Sequence, residues 1–249
     1  HLCVKGRYAH RFAHAKDRVT TPQIRTNSGW KEVSWAEAYE FIGAKLKHIL
    51  AESGPSAVGV LGSSRATNEE NYVAQKFARV VLGSNNVDCC PRVCHAPSAA
   101  ALKATLGTGA ATNSFDDIEL AGGFLICGAN PTENHPIVGA RIKQAVLSGA
   151  KLVVADPRTI ELARYADVHL QIRPGTNVPV FHAIANAIIE SGAMDRKFIE
   201  TRTSDCQKFA ELVREWTPER AAEIAGVESA DIRRAAALLH PVIGLHHRL

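Results

Sequence analysis

Phe124-Leu125-Ile126-Cys127 runs into Gly128-Ala129-Asn130-Pro131, and further on Lys151-Leu152-Val153-Val154-Ala155 runs into Asp156-Pro157-Arg158. Each apolar run is short, unbroken and bounded by turn residues, the pattern of a strand covered on both faces of a parallel sheet. Between them, residues 136–147 follow a helical pattern that Gly149 closes. Strand, tight loop, helix and strand make a βαβ unit. An acidic residue at the tip of the second strand can accept hydrogen bonds from ribose hydroxyls or a base edge, and loop amides at the preceding helix can meet a phosphate. The loop is not G-x-G-x-x-G, so by itself the stretch equally permits an Asp156 that merely ends a strand at the surface.

Upstream, residues 24–26 and 30–33 flank Asn27-Ser28-Gly29 as a short hairpin. Ser34 with Glu37 forms a capping box for a helix that places Ala38, Phe41, Ile42, Leu46 and Ile49 on one face and ends before Gly54-Pro55. Residues 57–61 read as another buried strand. After the Gly62-Ser63-Ser64 turn, Thr67 with Glu70 opens a helix running to about Leu82, with Gly83 as its stop. Downstream, residues 168–172 form a strand closed by Pro174-Gly175, and residues 178–239 are helical with breaks near Gly192, Thr203, Pro218 and Gly226. Strands alternating with helices across short loops predict an α/β fold with parallel sheets flanked by helices.

Composition narrows the function classes. A net charge of +4 over 249 residues, without a dense basic run, gives nucleic-acid binding little support. No apolar run approaches the length of a membrane span. The 6 cysteines are too few and too irregularly spaced for a disulfide framework. They read as reduced thiols, metal ligands or small core residues, with burial the default for the isolated Cys3, Cys127 and Cys206.

Asn86-Val87-Asp88-Cys89-Cys90-Pro91-Arg92-Val93-Cys94-His95-Ala96-Pro97-Ser98 concentrates the reactive chemistry. It reads as a loop, with a proline interrupting regular structure on either side, followed by a short helix over residues 98–106. Cys94 next to His95 places a soft sulfur ligand beside a group that carries a proton near neutral pH. Adjacent Cys89 and Cys90 read as small core residues, because neighbouring positions rarely ligate one ion and structural zinc prefers pairs about two to four residues apart. A cysteine nucleophile is a further reading of Cys94 and His95, although such pairs are usually distant in sequence. Arg92 is either an attractor for an anionic substrate or a structural cation.

Residues 86–95 stand with Ser63-Ser64-Arg65-Ala66-Thr67-Asn68-Glu69-Glu70-Asn71-Tyr72, Gly128-Ala129-Asn130-Pro131, His135-Pro136, Asp156-Pro157-Arg158 and Arg173-Pro174-Gly175-Thr176-Asn177. In that order and spacing the set resembles the catalytic (alpha) subunit of formate dehydrogenases, molybdenum- or tungsten-dependent oxidoreductases of the bis-pterin guanine dinucleotide kind. The resemblance runs from Leu2 to about Leu238. It implies a formate dehydrogenase/DMSO reductase-like fold, domains I to III in part, and oxidation of formate to carbon dioxide. It also implies that the sulfur of Cys94 binds the molybdenum or tungsten, which the dithiolenes of two pterin guanine dinucleotides hold as well, and that His95 accepts a proton. Asn130, Asp156, Arg158, Gly175 and Asn177 fall on positions lining one dinucleotide. Leu2-Cys3-Val4-Lys5-Gly6 resembles the end of an iron–sulfur motif, which makes Cys3 the last thiolate of a [4Fe-4S] cluster and puts Lys5 on the electron route towards partner electron-transfer subunits.

The same resemblance divides the chain into a remnant of an iron–sulfur domain at 1–33, the first part of an α/β cofactor-binding domain at 34–90 and a truncated second α/β dinucleotide-binding domain at 91–249. The family's three earlier cluster cysteines and its later half have no counterpart here, so the expectation is an incomplete N-terminal part. Residues 240–249, including His246 and His247, fit the family poorly and read as a frayed or altered tail. The expected compartment is the cytoplasm, with a periplasmic form as the alternative. A related molybdopterin enzyme acting on another substrate such as nitrate, and a non-catalytic α/β fragment binding a guanine nucleotide weakly, are the competing readings.

Overall fold

A computed structural model describes residues 2–243. They form two units, one spanning Tyr8–Thr112 and the other running from Asn113 onward together with the N-terminal residues up to Arg7. At the start of the chain, α1 (Val4–Tyr8) leads into a 3-10 turn at Ala9–His14.

In the first unit, β1 (Gln23–Thr26) and β2 (Gly29–Glu32) pair as the expected antiparallel hairpin. Helix α2 (Trp35–Ser53) begins on the expected capping box: Glu37 N–H donates to Ser34 Oγ at 3.2 Å, and Ser34 N–H donates to Glu37 Oε2 at 2.7 Å. Its anticipated apolar face is largely unburied, for Phe41, Ile42 and Ile49 are exposed. Strand β3 (Val60–Gly62) starts later than expected because Pro55–Ala57 winds into a 3-10 turn. Helix α3 (Asn68–Lys76), capped by Thr67 and Glu70, continues through a π-helical turn at Phe77–Val81 towards Gly83.

The cysteine-rich stretch is more regular than a loop. Val87–Cys89 is a strand, β4, parallel to β3 with Val60 opposite Val87 and Gly62 opposite Cys89. Pro91–Cys94 forms a single helical turn, α4, and α5 (Ala96–Leu106) follows directly and stops at the left-handed Gly107. The two prolines do not interrupt this structure. Pro91 takes the first position of its turn, where an absent N–H leaves no hydrogen bond unmade, and Pro97 sits equally early in α5.

In the second unit, α6 (Asp117–Leu120) precedes β5 (Gly123–Cys127), α7 (Pro131–Asn134), α8 (Pro136–Leu147), β6 (Lys151–Ala155) and β7 (Val168–Leu170). The strands form one parallel sheet in the order β5-β6-β7. Five helices follow: α9 (Asn177–Glu190), α10 (Arg196–Arg202), α11 (Cys206–Val213), α12 (Pro218–Ala225) and α13 (Ser229–Ile243). The central strand β6 explains its own apolar run. Val153 and Ala155 pack with Val180, Ala183, Ala221 and Ile232 of the C-terminal helices, while Leu152 and Val154 pack on the opposite face with Ile142, Ile160 and Leu162. Covering both faces stabilises the strand by about 1.5–3 kcal/mol for each large side chain removed from water. The expected α/β class with parallel sheets flanked by helices is what these elements form. His246 and His247, in the tail expected to fray, lie outside the described residues.

Candidate functional site

Cys94 ends the α4 turn, where its N–H donates to Cys90 O at 3.1 Å, and the side chains of both cysteines are exposed. Expecting Cys90 in the core is therefore wrong: the turn that follows β4 carries it to the surface, while Cys89, at the end of the strand, is half-buried. The Cys94 thiol is held above its ordinary pKa, first by its hydrogen bond with the Cys90 sulfur and then by the charge there.

His95 follows immediately as the residue capping α5. Its Nε2 lies 3.3 Å from Gly109 O. A carbonyl oxygen only accepts, so Nε2 carries the hydrogen and the neutral ring presents Nδ1 as its lone pair. Arg92 is committed locally: its Nε donates to Asp88 Oδ2 at 2.6 Å, and Asp88 Oδ1 accepts from Cys89 N–H at 2.9 Å. These contacts hold the Asp88 carboxyl below the usual carboxylate range, the guanidinium first and the amide second, and push Arg92 up in turn. Arg92 is thus half of a surface ion pair.

Beside this stretch, at the C-terminal ends of β3 and β4, lies a cavity of about 240 Å³ lined by Gly62, Ser63, Ser64, Asn71, Asp88 and Cys89 among others. Asn71 shapes it. Its Oδ1 accepts from Ser63 N–H at 3.3 Å, and its Nδ2 donates to Ser63 O at 3.0 Å and to Thr67 O at 3.1 Å. A Cβ on Gly62 would lie 2.7 Å from Asn71 Oδ1, so the glycine is what lets the side chain reach the loop.

In the second unit, the dinucleotide candidates gather at the C-terminal ends of the parallel strands, the usual binding edge of an open α/β sheet. Gly128 leaves β5 with φ +54° and donates its N–H to Ala155 O at 3.1 Å, joining the tips of β5 and β6. Asn130 is buried, and its Oδ1 accepts from Thr132 Oγ1 at 2.9 Å. Asp156 is buried as well. Its Oδ1 accepts from Arg158 N–H at 2.8 Å and lies 3.7 Å from Arg158 Nε, while the Arg158 side chain reaches into solvent. Asn177, at the start of α9, donates from Nδ2 to Cys127 Sγ at 3.2 Å, and Gly175 just before it has φ +85°. Cys127 is half-buried rather than sealed in the core, because it lies at this rim, and Cys3 and Cys206 are half-buried too.

Several residues hold this edge in roles the sequence reading did not assign. His169 Nε2 lies 3.1 Å from Asp156 O, and Gln171 Nε2 donates to Pro157 O at 3.0 Å, so β7 and the residues after it brace the Asp156 loop. The alternation Val168-His169-Leu170-Gln171-Ile172 carried that signal, since it puts the two polar side chains on one face. Arg173 donates from Nη1 to Glu223 O at 3.2 Å and Ile224 O at 3.3 Å, and its N–H donates to Ala225 O at 2.9 Å. It thereby caps the C-terminus of α12 and anchors the turn carrying Gly175 and Asn177.

Cys3 precedes α1. Its thiol is held below the ordinary pKa, chiefly by the Gly6 N–H, with the Lys5 N–H and ammonium adding to the effect. Lys5 itself is exposed. Among the described residues, no group of three or more His, Cys, Asp or Glu converges on a metal position. Cys3 therefore fits an iron–sulfur cluster only as one thiolate of four. A metal taking a single sulfur from the protein needs no such group, and the exposed Cys94 fits that role.

A family model described as molybdopterin oxidoreductase matches residues 18–243. The chain is 44% identical over 235 residues to the F420-dependent formate dehydrogenase subunit alpha of Methanocaldococcus jannaschii, covering 94% of this chain and 34% of that one. It is 42% identical to formate dehydrogenase H of Escherichia coli, with coverage of 94% and 34%. Against the nitrate reductase of Symbiobacterium thermophilum the identity is 37%, with coverage of 94% and 33%. Acetylene hydratase from Pelobacter acetylenicus is structurally similar, with a TM-score of 0.63, 31% identity, and coverage of 95% of this chain and 33% of that chain. The chain thus spans about a third of the length of these relatives.

Proposed function

The chain belongs to the molybdopterin oxidoreductase family, and on that footing we propose that it is the N-terminal part of a formate dehydrogenase catalytic subunit. The observation that carries the proposal is the exposed Cys94 sulfur directly followed by an imidazole whose Nε2 hydrogen is committed to Gly109 O. A molybdenum or tungsten centre with two pterin guanine dinucleotides supplies two-electron redox chemistry when bound. Loss of the formate hydrogen as a proton, with two electrons, gives carbon dioxide.

Each residue then has a defined task. Cys94 would offer the metal a soft thiolate ligand, and its raised pKa is that of the metal-free thiol. His95 receives the substrate proton at Nδ1, the ring nitrogen left free by the Gly109 contact. Asn130, Asp156, Arg158, Gly175 and Asn177 line one dinucleotide. The buried Asp156 carboxylate accepts from the nucleoside, the exposed Arg158 guanidinium meets phosphate, and the positive φ of Gly175 lets the backbone approach closely.

Cys3 is one of four cluster thiolates, the others coming from outside this sequence, and Lys5 lies beside it towards electron-transfer subunits. Residues 1–33, 34–90 and 91–249 belong to successive domains of the larger subunit. Six free thiols suit the reducing cytoplasm, and no helix among the described residues is long and apolar enough to cross a membrane.

The test is Cys94→Ala in the cofactor-loaded full-length enzyme. Formate oxidation falls by more than the roughly 10–100-fold that loss of an outer-shell partner of a metal ligand costs. Unchanged turnover would contradict the ligand assignment. Nitrate reduction is the second reading, favoured by the identity with the Symbiobacterium enzyme. Assaying both substrates on the same preparation separates the two.

A further inference from the structure

Cys90 and Cys94 flank the single turn α4, linked by the backbone hydrogen bond of 3.1 Å from Cys94 N–H to Cys90 O. Positions four apart on a helical turn carry their side chains on the same side, so this backbone contact makes the two thiols neighbours. Both are exposed and both are free. The proposed function uses one of them and leaves Cys90 without a task.

We propose that Cys90 and Cys94 form a redox pair, closing in the metal-free chain into an intramolecular disulfide that withdraws the Cys94 sulfur and reopening on reduction. Residues four apart on a helical turn have Cα atoms about 6 Å apart, inside the range disulfides span. Their Cβ atoms, about 5–6 Å apart, must approach to about 4 Å. The turn has room to tighten, since it is one turn long, starts at Pro91 and ends at the non-helical His95 with φ −146°. A bond closed against that resistance and open to solvent is of the labile kind, so the pair opens readily.

The oxidant is a small-molecule disulfide such as oxidised glutathione. One protein thiolate attacks it, breaking its S–S bond, releasing one glutathione thiol and forming a mixed disulfide. The second protein thiolate displaces the other glutathione, so the two protein thiols lose two electrons and two protons that appear in two glutathione thiols. Cys89 does not substitute for Cys90, because it ends β4 in parallel register with Gly62 and stands outside the turn.

The test equilibrates the metal-free chain in glutathione buffers of rising oxidation, quenches with an alkylating agent and maps peptides by mass. The expected result is loss of two hydrogens and of both alkylation sites at positions 90 and 94, reversed by dithiothreitol. Cys90→Ser and Cys94→Ser each abolish the closure, and Cys89→Ser retains it. Mixed glutathione adducts alone, or a bond between Cys89 and Cys94, would overturn the inference, and the unsubstituted chain decides this even where a variant fails to fold. That closure withdraws a metal ligand rests on the proposed role of Cys94. Cofactor-loaded protein should resist closure, and equal closure with and without metal would refute that ligand role while leaving the pair itself standing.

Discussion

At the scale of single residues, chemistry was legible where a side chain's type is its function. Cys94 and His95 stand out in the sequence because sulfur and imidazole are reactive wherever they are exposed. What the sequence did not show was direction. Cys90 was expected inside and lies outside, because the strand ends at Cys89 and Cys90 already belongs to the turn that leaves it. Arg92 was open between two uses, and a contact of 2.6 Å to Asp88 shows a structural one. Gly139 gave no signal at all. A Cβ there would sit 2.8 Å from both Cα and N of Thr132, which lets α8 pack directly on α7. Gly139→Ala is therefore expected to destabilise the second unit by about 1–3 kcal/mol, the usual cost of forcing an atom into a filled contact. Denaturant melts check this, and an unchanged midpoint would show that α7 yields freely.

At the scale of elements, the strongest sequence signals were those fixed by local chemistry. The two capping boxes, the Gly149 stop, the span of α8 and the span of β6 all follow from neighbouring residues and form as expected. Strand β4 was missed because its pairing partner β3 is 25 or more residues away in sequence and Val87–Cys89 is too short to show a period. Arg173 is another distant relation, with about 50 residues separating it from the carbonyls it caps. Arg173→Ala should cost about 1 kcal/mol through the lost cap on α12. It should also loosen the Gly175–Asn177 turn, so that backbone amides of this segment exchange with solvent sooner than in the parent. Faster exchange confined to α12 would mean that the turn is held by other contacts.

At the scale of the molecule, the two units are built on different amounts of buried surface. Both hydrophobic clusters lie in the second unit, where Leu152, Val153, Val154 and Ala155 are fully covered. Within Tyr8–Thr112 the described buried hydrophobic residues are Ala38, Ala78 and Leu82, while Leu61 and Val93 are each 86% exposed. Local stability follows buried contact, so backbone amides of the first unit should exchange with solvent at least about tenfold faster than those of β6 and α9. Mass-resolved exchange on the 249-residue chain measures this, and uniform protection would contradict it. The α/β class was readable because the apolar runs at 124–127 and 151–155 are both strands; 151–155 is covered on both faces as expected, while 124–127 is only half-covered, with Leu125 exposed. How thinly the first unit is covered was not readable, since an amphipathic pattern names a face without naming what meets it.

If the sulfur at position 94 bonds to the metal, X-ray absorption at the molybdenum or tungsten edge reads that bond directly. In cofactor-loaded enzyme carrying selenocysteine at position 94, the metal's first coordination shell should contain one selenium scatterer, whereas selenocysteine at position 90 should contribute none. A shell of sulfur and oxygen alone with selenium at 94, or a selenium scatterer arising from position 90, would contradict the account.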